Sequence, residues 1–304
     1  MSVSDNQYTA KDEVASVFVK RTFFQRSWIT LKKAPFTAWL GMTIVFLYIF
    51  VAIFAPYIAP YGEAQIFKTP YGPWDEVHIF GTDRLGRDIF SRLIYGARNT
   101  MGIAVLTTLL AFLIGGGLGL ISAILRGWVD QFLARAVDVL MAIPSLIFAL
   151  MLLSIFGSTA LNLIIIIAIL DSTRVFRLSR AVGMNIVVMD FFEAAKLRGE
   201  NFSYLVFHEI MPNAVAPLLA EFGLRFCFVF LTISSLSFLG IGIQPPLADW
   251  GTMVRDLSQF INFAAFSPLT ASLPLMAAGA IALLTVAVNF VVDWVLQMTS
   301  GLKD

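Results

Sequence analysis

The chain has 304 residues and a formal net charge of +1 at pH 7; 58% of its residues are hydrophobic, 13% are charged, and its mean hydropathy is +0.82. Soluble domains contain about 45–50% apolar and about 25% charged residues, so this composition excludes an ordinary soluble domain and predicts an integral membrane protein. The single cysteine excludes an internal disulfide and a cysteine-rich metal site.

The N-terminal segment, residues 1–35, is polar and of mixed charge, unlike a secretory signal. The first apolar run begins after Pro35 and is longer than the hydrophobic region of a signal peptide. We therefore expect a cytoplasmic N-terminal segment followed by a retained membrane helix at residues 36–58.

Apolar windows of about 20 residues, the length that crosses the hydrocarbon layer, predict an all-α polytopic protein with six transmembrane helices. The fourth window is the weakest, because its apolar run gives way to Asp171, Arg174 and Arg177. If it did not cross, every later loop would change sides. The predicted spans are residues 36–57, 100–125, 132–156, 159–176, 216–239 and 269–296.

Basic residues support six crossings. The N-terminal segment and the connections after the second and fourth spans are rich in lysine and arginine, and they share one side only if the fourth span crosses. Cytoplasmic loops carry such an excess, so both termini are predicted to be cytoplasmic. The opposite, periplasmic side then carries residues 59–99, whose four arginines are an exception.

The periplasmic segment has two interpretations. Its arginines could contact an acidic partner or a substrate carboxylate. Alternatively, a helix from about Asp88 could lie in the membrane interface with its charges mutually satisfied, since Asp88 and Arg92 are spaced i, i+4.

Two features inside the spans indicate helix geometry. Gly115 and Gly119 have the G-x-x-x-G spacing that lets two membrane helices approach closely. Pro144 removes a helical hydrogen bond and predicts a kink in the third span, which could also shape a pathway.

Charged residues within spans are candidates for function because their burial in lipid is costly. Glu221 and Arg225 are spaced i, i+4 in the fifth span. They could line a translocation pathway and select charged substrate termini, or they could neutralise each other near the cytoplasmic boundary, since the predicted helix begins at Ala216.

A charged helix-forming segment, residues 193–199, precedes the fifth span. Its alanines and leucine favour a helix, Gly199 can end that helix with a positive φ, and Pro212 disfavours a continuous helix beyond it. The pattern predicts helix, sharp turn, helix. Small side chains at Ala194 and Ala195 are expected to leave the backbone open to a partner.

This segment resembles the coupling motif of bacterial ABC importer permeases. A second signature, residues 80–98 with the sequence Phe-Gly-Thr-Asp-Arg-Leu-Gly-Arg-Asp at its start, is similar to the C-type permeases of dipeptide and oligopeptide (peptide/nickel) importers. Further similar motifs occur at residues 128–130, 138–145, 236–242 and 250–251. The resemblance covers almost everything after residue 36.

The resemblance implies the type I ABC importer permease fold, with a core at residues 100–304 that includes a cytoplasmic coupling loop at 177–215. It implies a non-catalytic subunit in the bacterial inner membrane that forms half of a pathway for peptides or peptide-like solutes. The chain would need no cofactor of its own: ATP and Mg would be bound by partner subunits, and the sequence has no phosphate-binding loop. The implied partners are a second, homologous permease, two ATPase subunits and a periplasmic substrate-binding protein, with no nucleic acid.

Three groups of candidate site residues follow, and no catalytic or metal-binding residue is expected. The residues expected to couple to the ATPase are Glu193, Ala194, Ala195, Lys196, Arg198, Gly199, Met211 and Pro212. Candidate pathway residues are Pro144, Glu221 and Arg225, and candidate receptor-docking residues are Arg84, Arg87, Trp250 and Arg255.

Two other classes remain as alternatives. A secondary, ion-coupled transporter would show an inverted repeat with broken helices, and no motif here occurs twice. An intramembrane enzyme would need a nucleophile with its base, or metal ligands, inside the spans. The sequence leaves the substrate open among dipeptides, oligopeptides, nickel complexes, glutathione and opine-like conjugates.

Overall fold

The computed structural model describes residues 34–263, 265 and 267–299 of the chain. The chain divides into two units, Met1–Phe36 and Thr37–Asp304. The predicted segment 1–35 lies almost wholly outside the described residues, which are helical apart from turns, loops and one isolated bridge between Thr82 and Asp88. The α-helices, numbered in chain order, are α1 (Phe36–Ile58), α2 (Ile89–Leu125), α3 (Gly127–Ala142), α4 (Ser145–Phe156), α5 (Ala160–Val187), α6 (Asp190–Leu197), α7 (Phe202–Phe238), α8 (Trp250–Leu257), α9 (Pro268–Ala271) and α10 (Leu273–Thr299).

Helices α2 and α5 lie side by side and run in the same direction. A Cβ atom at Gly115 would meet the Ser172 carbonyl oxygen of α5, and one at Gly119 would come 2.7 Å from the Phe176 carbonyl oxygen. One turn further on, Gly183 of α5 faces Ala123. The predicted role of Gly115 and Gly119 in close helix packing is confirmed.

Helix α2 begins earlier than predicted. The Asp88 side chain accepts a hydrogen bond from the Ser91 backbone N–H at 2.7 Å and so caps a single helix that continues to Leu125. A separate interfacial helix does not form, because this cap starts the membrane helix eleven residues before position 100. We call the two ends of the bundle the Asp88 end and the Asp130 end, after residues at the start and just beyond the finish of α2.

The predicted kink at Pro144 is confirmed. Helices α3 and α4 meet at an angle of 88° across the break between Ala142 and Ser145. Proline at this position lacks the N–H that would continue the helix.

By length and composition, four helices of the described residues could cross a membrane, or five if the bent pair α3 and α4 counts as one span. The predicted fourth span corresponds to α5. It is 28 residues long, but Asp171 and three arginines keep it outside this group. The structure therefore supports an all-helical protein with four or five candidate spans.

Helix α7 is continuous through Pro212, contrary to the predicted break. A π-helical turn, Leu205–Ile210, precedes the proline, which lies in the first turn of the following α-helical stretch. The wider turn accommodates a residue that cannot donate a backbone hydrogen bond, as π-turns in helices commonly do. As a consequence α7 starts at Phe202 rather than at residue 216.

Helices α1 and α10 pack antiparallel. A Cβ atom at Gly41 would meet the Ala287 carbonyl oxygen at 2.6 Å, and the Tyr48 hydroxyl donates to the Ala280 carbonyl at 3.1 Å. Tyr48 also packs edge-on against Trp250, near the start of α2. The first helix therefore begins, and the last helix ends, towards the Asp130 end.

Candidate functional site

Helix α6 is an eight-residue amphipathic helix between α5 and α7. Its buried side is formed by Phe192, 3% exposed, and Ala195, which has no exposed surface. These side chains join an apolar cluster at the Asp130 end with Leu120 of α2, Ile186 of α5 and Leu205 of α7. Helix α6 therefore shares one apolar cluster with side chains of three long helices.

The opposite side of α6 is exposed. It carries Glu193, Ala194, Lys196 and Leu197, and the Leu197 side chain is 83% exposed. Ala194 is open as expected, but the expectation that Ala195 would also be open is wrong, because Ala195 packs against this chain's own core.

The charges around α6 are only partly paired. Arg198 lies 3.5 Å from a carboxylate oxygen of Glu200 and 3.8 Å from one of Glu209. Among the described residues, Glu193 and Lys196 have no ion-pair partner. Gly199 adopts a φ of +80°, the left-handed conformation that ends the helix, as predicted.

An ion pair fixes the Asp130 end of the bundle. The Arg180 guanidinium of α5 contacts both carboxylate oxygens of Asp130 in α3, one of them at 2.7 Å, and the Ser122 hydroxyl of α2 also donates to this carboxylate. Such bidentate pairs hold their partners in a defined orientation. Asp130 was not among the candidate site residues predicted from the sequence, although it belongs to the motif at residues 128–130.

At the Asp88 end, the structure corrects the interpretation of two arginines. Arg87 is buried and donates to Asp83 at 2.8 Å, so it is not available for direct docking of a receptor. Arg92 lies 3.7 Å from Asp83 and donates to the Glu63 carbonyl at 3.0 Å. The predicted pair of Asp88 with Arg92 does not form, because Asp88 caps α2 and contacts His78. The general expectation of mutually satisfied charges is nevertheless confirmed for Arg87 and Arg92.

Trp250 is also unavailable for docking. Its indole N–H donates to the Leu93 carbonyl at 2.9 Å, and its ring lies against Gly96 of α2, where any larger side chain would collide with it. Arg84 and Arg255 remain accessible, with side chains 50% and 35% exposed, and both contact Asp256, at 3.7 Å and 3.1 Å.

The charges within the bundle form one cluster. Arg225 of α7 lies 2.7 Å from Glu221 and 3.7 Å from Asp171 of α5, and Asp171 is 3.6 Å from Arg174. Because α7 starts at Phe202, Arg225 lies far inside the helix and not near its boundary. Glu221 and Arg225 form the ion pair that the second alternative expected, whereas the expected helix start at Ala216 is wrong.

A cavity of about 340 Å³ adjoins this cluster at the break between α3 and α4. Pro144 lines it, as expected of a pathway residue, but Glu221 and Arg225 do not. The charged side chains that line it are Asp171 and Arg174, which the sequence indicated only as charges that interrupt the fourth predicted span. A second cavity, of about 700 Å³, lies between α2 and α7 and is lined almost entirely by apolar side chains.

Comparisons with known proteins agree with this geometry. Residues 115–300 match the family described as the inner-membrane component of binding-protein-dependent transport systems, and residues 22–71 match the N-terminal transmembrane domain of oligopeptide transport permease C.

Relatives match over most of their length. A dipeptide transport system permease protein of Alkalihalophilus pseudofirmus is 34% identical over 271 residues, 88% of this chain and 87% of the relative. One from Escherichia coli K12 is 35% identical over 84% of this chain and 87% of its own. A glutathione transport system permease protein of Pectobacterium atrosepticum is 32% identical over 78% and 79%.

The family match covers more than half of the chain, and the relatives exceed 30% identity over most of it. This family consists of the permeases of ABC importers, so the alternative of a secondary transporter is wrong. The chain belongs to the family of inner-membrane permease components of binding-protein-dependent ABC importers.

Proposed function

We propose that this chain, a non-catalytic membrane permease component of the family, forms half of a translocation pathway for peptides or peptide-like solutes, together with a homologous second permease. ATP hydrolysis belongs to separate ATPase subunits. Two ATPase subunits that bind ATP and Mg, and a periplasmic substrate-binding protein, would complete the importer. The peptide substrate is inferred from relatives that are dipeptide and glutathione transport permeases.

The observation that carries this proposal is the arrangement of α6. Its exposed side presents Glu193, Ala194 and Lys196, while Phe192 and Ala195 belong to the apolar cluster that joins side chains of α2, α5 and α7. A partner bound to the exposed side could therefore move three long helices together, as rigid packed elements do in alternating access. We assign this side as the surface that docks on the ATPase.

Six spans with cytoplasmic termini complete the proposal. Helices α2 and α5 run in the same direction, so the chain between them must return along the bundle, and only α3 and α4 are available for that return. Helix α5 spans about 42 Å at 1.5 Å per residue, which is enough to cross. The start of α1 and the end of α10 lie towards the Asp130 end of the bundle, as α6 does. The basic residues of the predicted cytoplasmic loops lie at this same end.

The test is co-purification of the chain with its ATPase and second permease, comparing wild type with Glu193→Arg. We expect the variant to lose ATPase recovery and receptor-stimulated ATP hydrolysis in liposomes. Glu76→Arg is the matched control, since Glu76 is an equally exposed glutamate in the segment assigned to the periplasm. Normal recovery and normal hydrolysis in Glu193→Arg would refute the assignment of α6.

A further inference from the structure

The cavity at the break between α3 and α4 contains two opposite charges. Asp171 and Arg174 line it, together with the polar side chains of Ser145, Thr173 and Thr232. Asp171 is only 8% exposed, and its Oδ2 atom has no hydrogen-bond partner within the described part of the chain.

The Asp171 carboxylate is attracted to two guanidinium groups without bonding closely to either. Its Oδ1 atom lies 3.6 Å from Arg174 and 3.7 Å from Arg225, both beyond good hydrogen-bond distance. Arg225 makes its closest contact, 2.7 Å, with Glu221. A buried carboxylate without hydrogen bonds keeps only the longer-range attraction of the guanidinium groups in place of its hydration, so a donor that enters the cavity and reaches the carboxylate would supply the hydrogen bonds it lacks.

This side of the bundle cannot face lipid. Arg174 is 45% exposed and Arg177 is exposed in the same helix, and a charged side chain in the hydrocarbon region costs several kcal/mol. The non-helical backbone at Pro144 leads to the same conclusion, because such backbone is tolerated at membrane depth only inside protein or beside a water-filled cavity. The cavity therefore faces a solvated route or another protein subunit.

The volume of the cavity suits a small solute. At about 340 Å³ it lies at the lower end of the range of about 300–1,000 Å³ typical of small-molecule sites. Its lining contains one anionic side chain, one cationic side chain and three side-chain hydroxyl groups, in contrast to the apolar cavity between α2 and α7.

We propose that this cavity is a transit subsite for zwitterionic solutes, in which Asp171 binds the solute's ammonium group and Arg174 its carboxylate. The inference rests on the proposed function and adds the chemical class of solute and the residues that contact it. The proposal assigns the recognition of charged termini to Asp171 and Arg174, which line the cavity. Glu221 and Arg225, the pair expected from the sequence, do not line it.

The test uses the complete importer, with both permeases, ATPases and receptor, in proteoliposomes. The probe is the dipeptide photoleucyl-alanine, irradiated during ATP turnover, and mass spectrometry locates the label. Asp171→Asn removes the charge at constant shape, and Asp171→Glu restores a carboxylate. Glu221→Gln is the matched control, because it removes a neighbouring carboxylate that contacts Arg225 but does not line the cavity.

In the wild type we expect label on peptides that contain residues 140–149 and 167–174. Asp171→Asn should lower that label about tenfold, the effect of losing a hydrogen bond to a charged group, while receptor-stimulated ATP hydrolysis stays within about twofold. Asp171→Glu and Glu221→Gln should keep most of the label. This combination separates binding from a structural role, which would lower hydrolysis and complex recovery as well.

Unchanged label in Asp171→Asn would overturn the proposal, and so would label confined to other parts of the permease. Equal loss of label and hydrolysis in Asp171→Asn and Glu221→Gln would show instead that the cluster only holds α5 and α7 together. If the wild-type importer takes up no probe at all, the proposed peptide substrate fails first. Uptake therefore distinguishes failure of the function from failure of the subsite.

Discussion

Phe192 should decide whether α6 stays attached to the membrane helices. Its side chain is 3% exposed and is the largest one that α6 contributes to the apolar cluster with Leu120, Ile186 and Leu205. Truncation of a buried phenylalanine to alanine costs about 3–5 kcal/mol. An isolated helix of eight residues is not stable in water, so α6 depends on this attachment.

The loss corresponds to a shift of roughly a hundredfold or more in the equilibrium between attached and detached α6. We expect Phe192→Ala to speed hydrogen exchange of the α6 amides by about that factor, measured by mass spectrometry on the importer in nanodiscs. The same variant should hydrolyse ATP without a matching rate of transport, because the ATPase would then move a helix that no longer moves α2, α5 and α7.

Phe46→Ala is the control for this prediction, since Phe46 lies in α1 with its side chain 69% exposed. It should leave exchange in α6 unchanged. If exchange in Phe192→Ala equals that of the wild type, the cluster does not hold α6, and the mechanical link inferred from it is refuted.

Two further predictions concern the ends of the bundle. Gly119→Leu should block assembly of the chain, measured as recovery from membranes, because the leucine side chain would enter the space of the Phe176 carbonyl and Ser179. Gly117→Leu is the control and should be recovered normally, because a Cβ atom at Gly117 meets nothing within 4 Å. Asp249 is fully buried, and burial raises the pKa of its carboxyl above the ordinary value of about 3.9. A group whose pKa is raised in the folded state contributes stability that is fully present below its ordinary pKa and is lost as pH rises. Asp249→Asn keeps a capping oxygen for the Thr252 N–H but never ionises, so its melting temperature should fall less than that of the wild type between pH 4 and pH 7; parallel melting curves would contradict this.

Features set by local sequence were predictable. The ends of α1 follow from an apolar run with polar flanks, the break at Pro144 from a missing N–H, and the contact at Gly115 and Gly119 from small residues at helical spacing. The end of α6 at Gly199 follows from a conformation that glycine adopts readily. Each of these predictions rests on residues within one or two turns, although the glycine spacing did not identify α5 as the partner helix.

Features set by the folding of a turn, or by partners distant in sequence, were not predictable. The sequence left open whether Arg87 is exposed or buried. Its burial is determined by its position beside Asp83 in a folded turn. Trp250 was predicted to dock a receptor, whereas in the fold its ring packs against Gly96, over 150 positions earlier. Spacing along one helix paired Asp88 with Arg92, whereas the fold offered Arg92 a different carboxylate and used Asp88 as a cap.

The two parts of the candidate site share their supporting helices. Helix α5 contributes Ile186 to the cluster that holds α6 and Asp171 to the polar cavity, about 22 Å apart at 1.5 Å per residue. Helix α7 likewise contributes Leu205 to the cluster, and Val229 and Thr232 to the cavity. A movement of α6 would therefore be transmitted to the cavity through two continuous helices. Helix α4 is separated from α3 by the break at Pro144, so it can stay in position while α5 and α7 move. We expect the cavity to open or close by motion of α5 and α7 against α4, so that a disulfide joining α4 to α5 would stop transport while leaving ATPase binding intact.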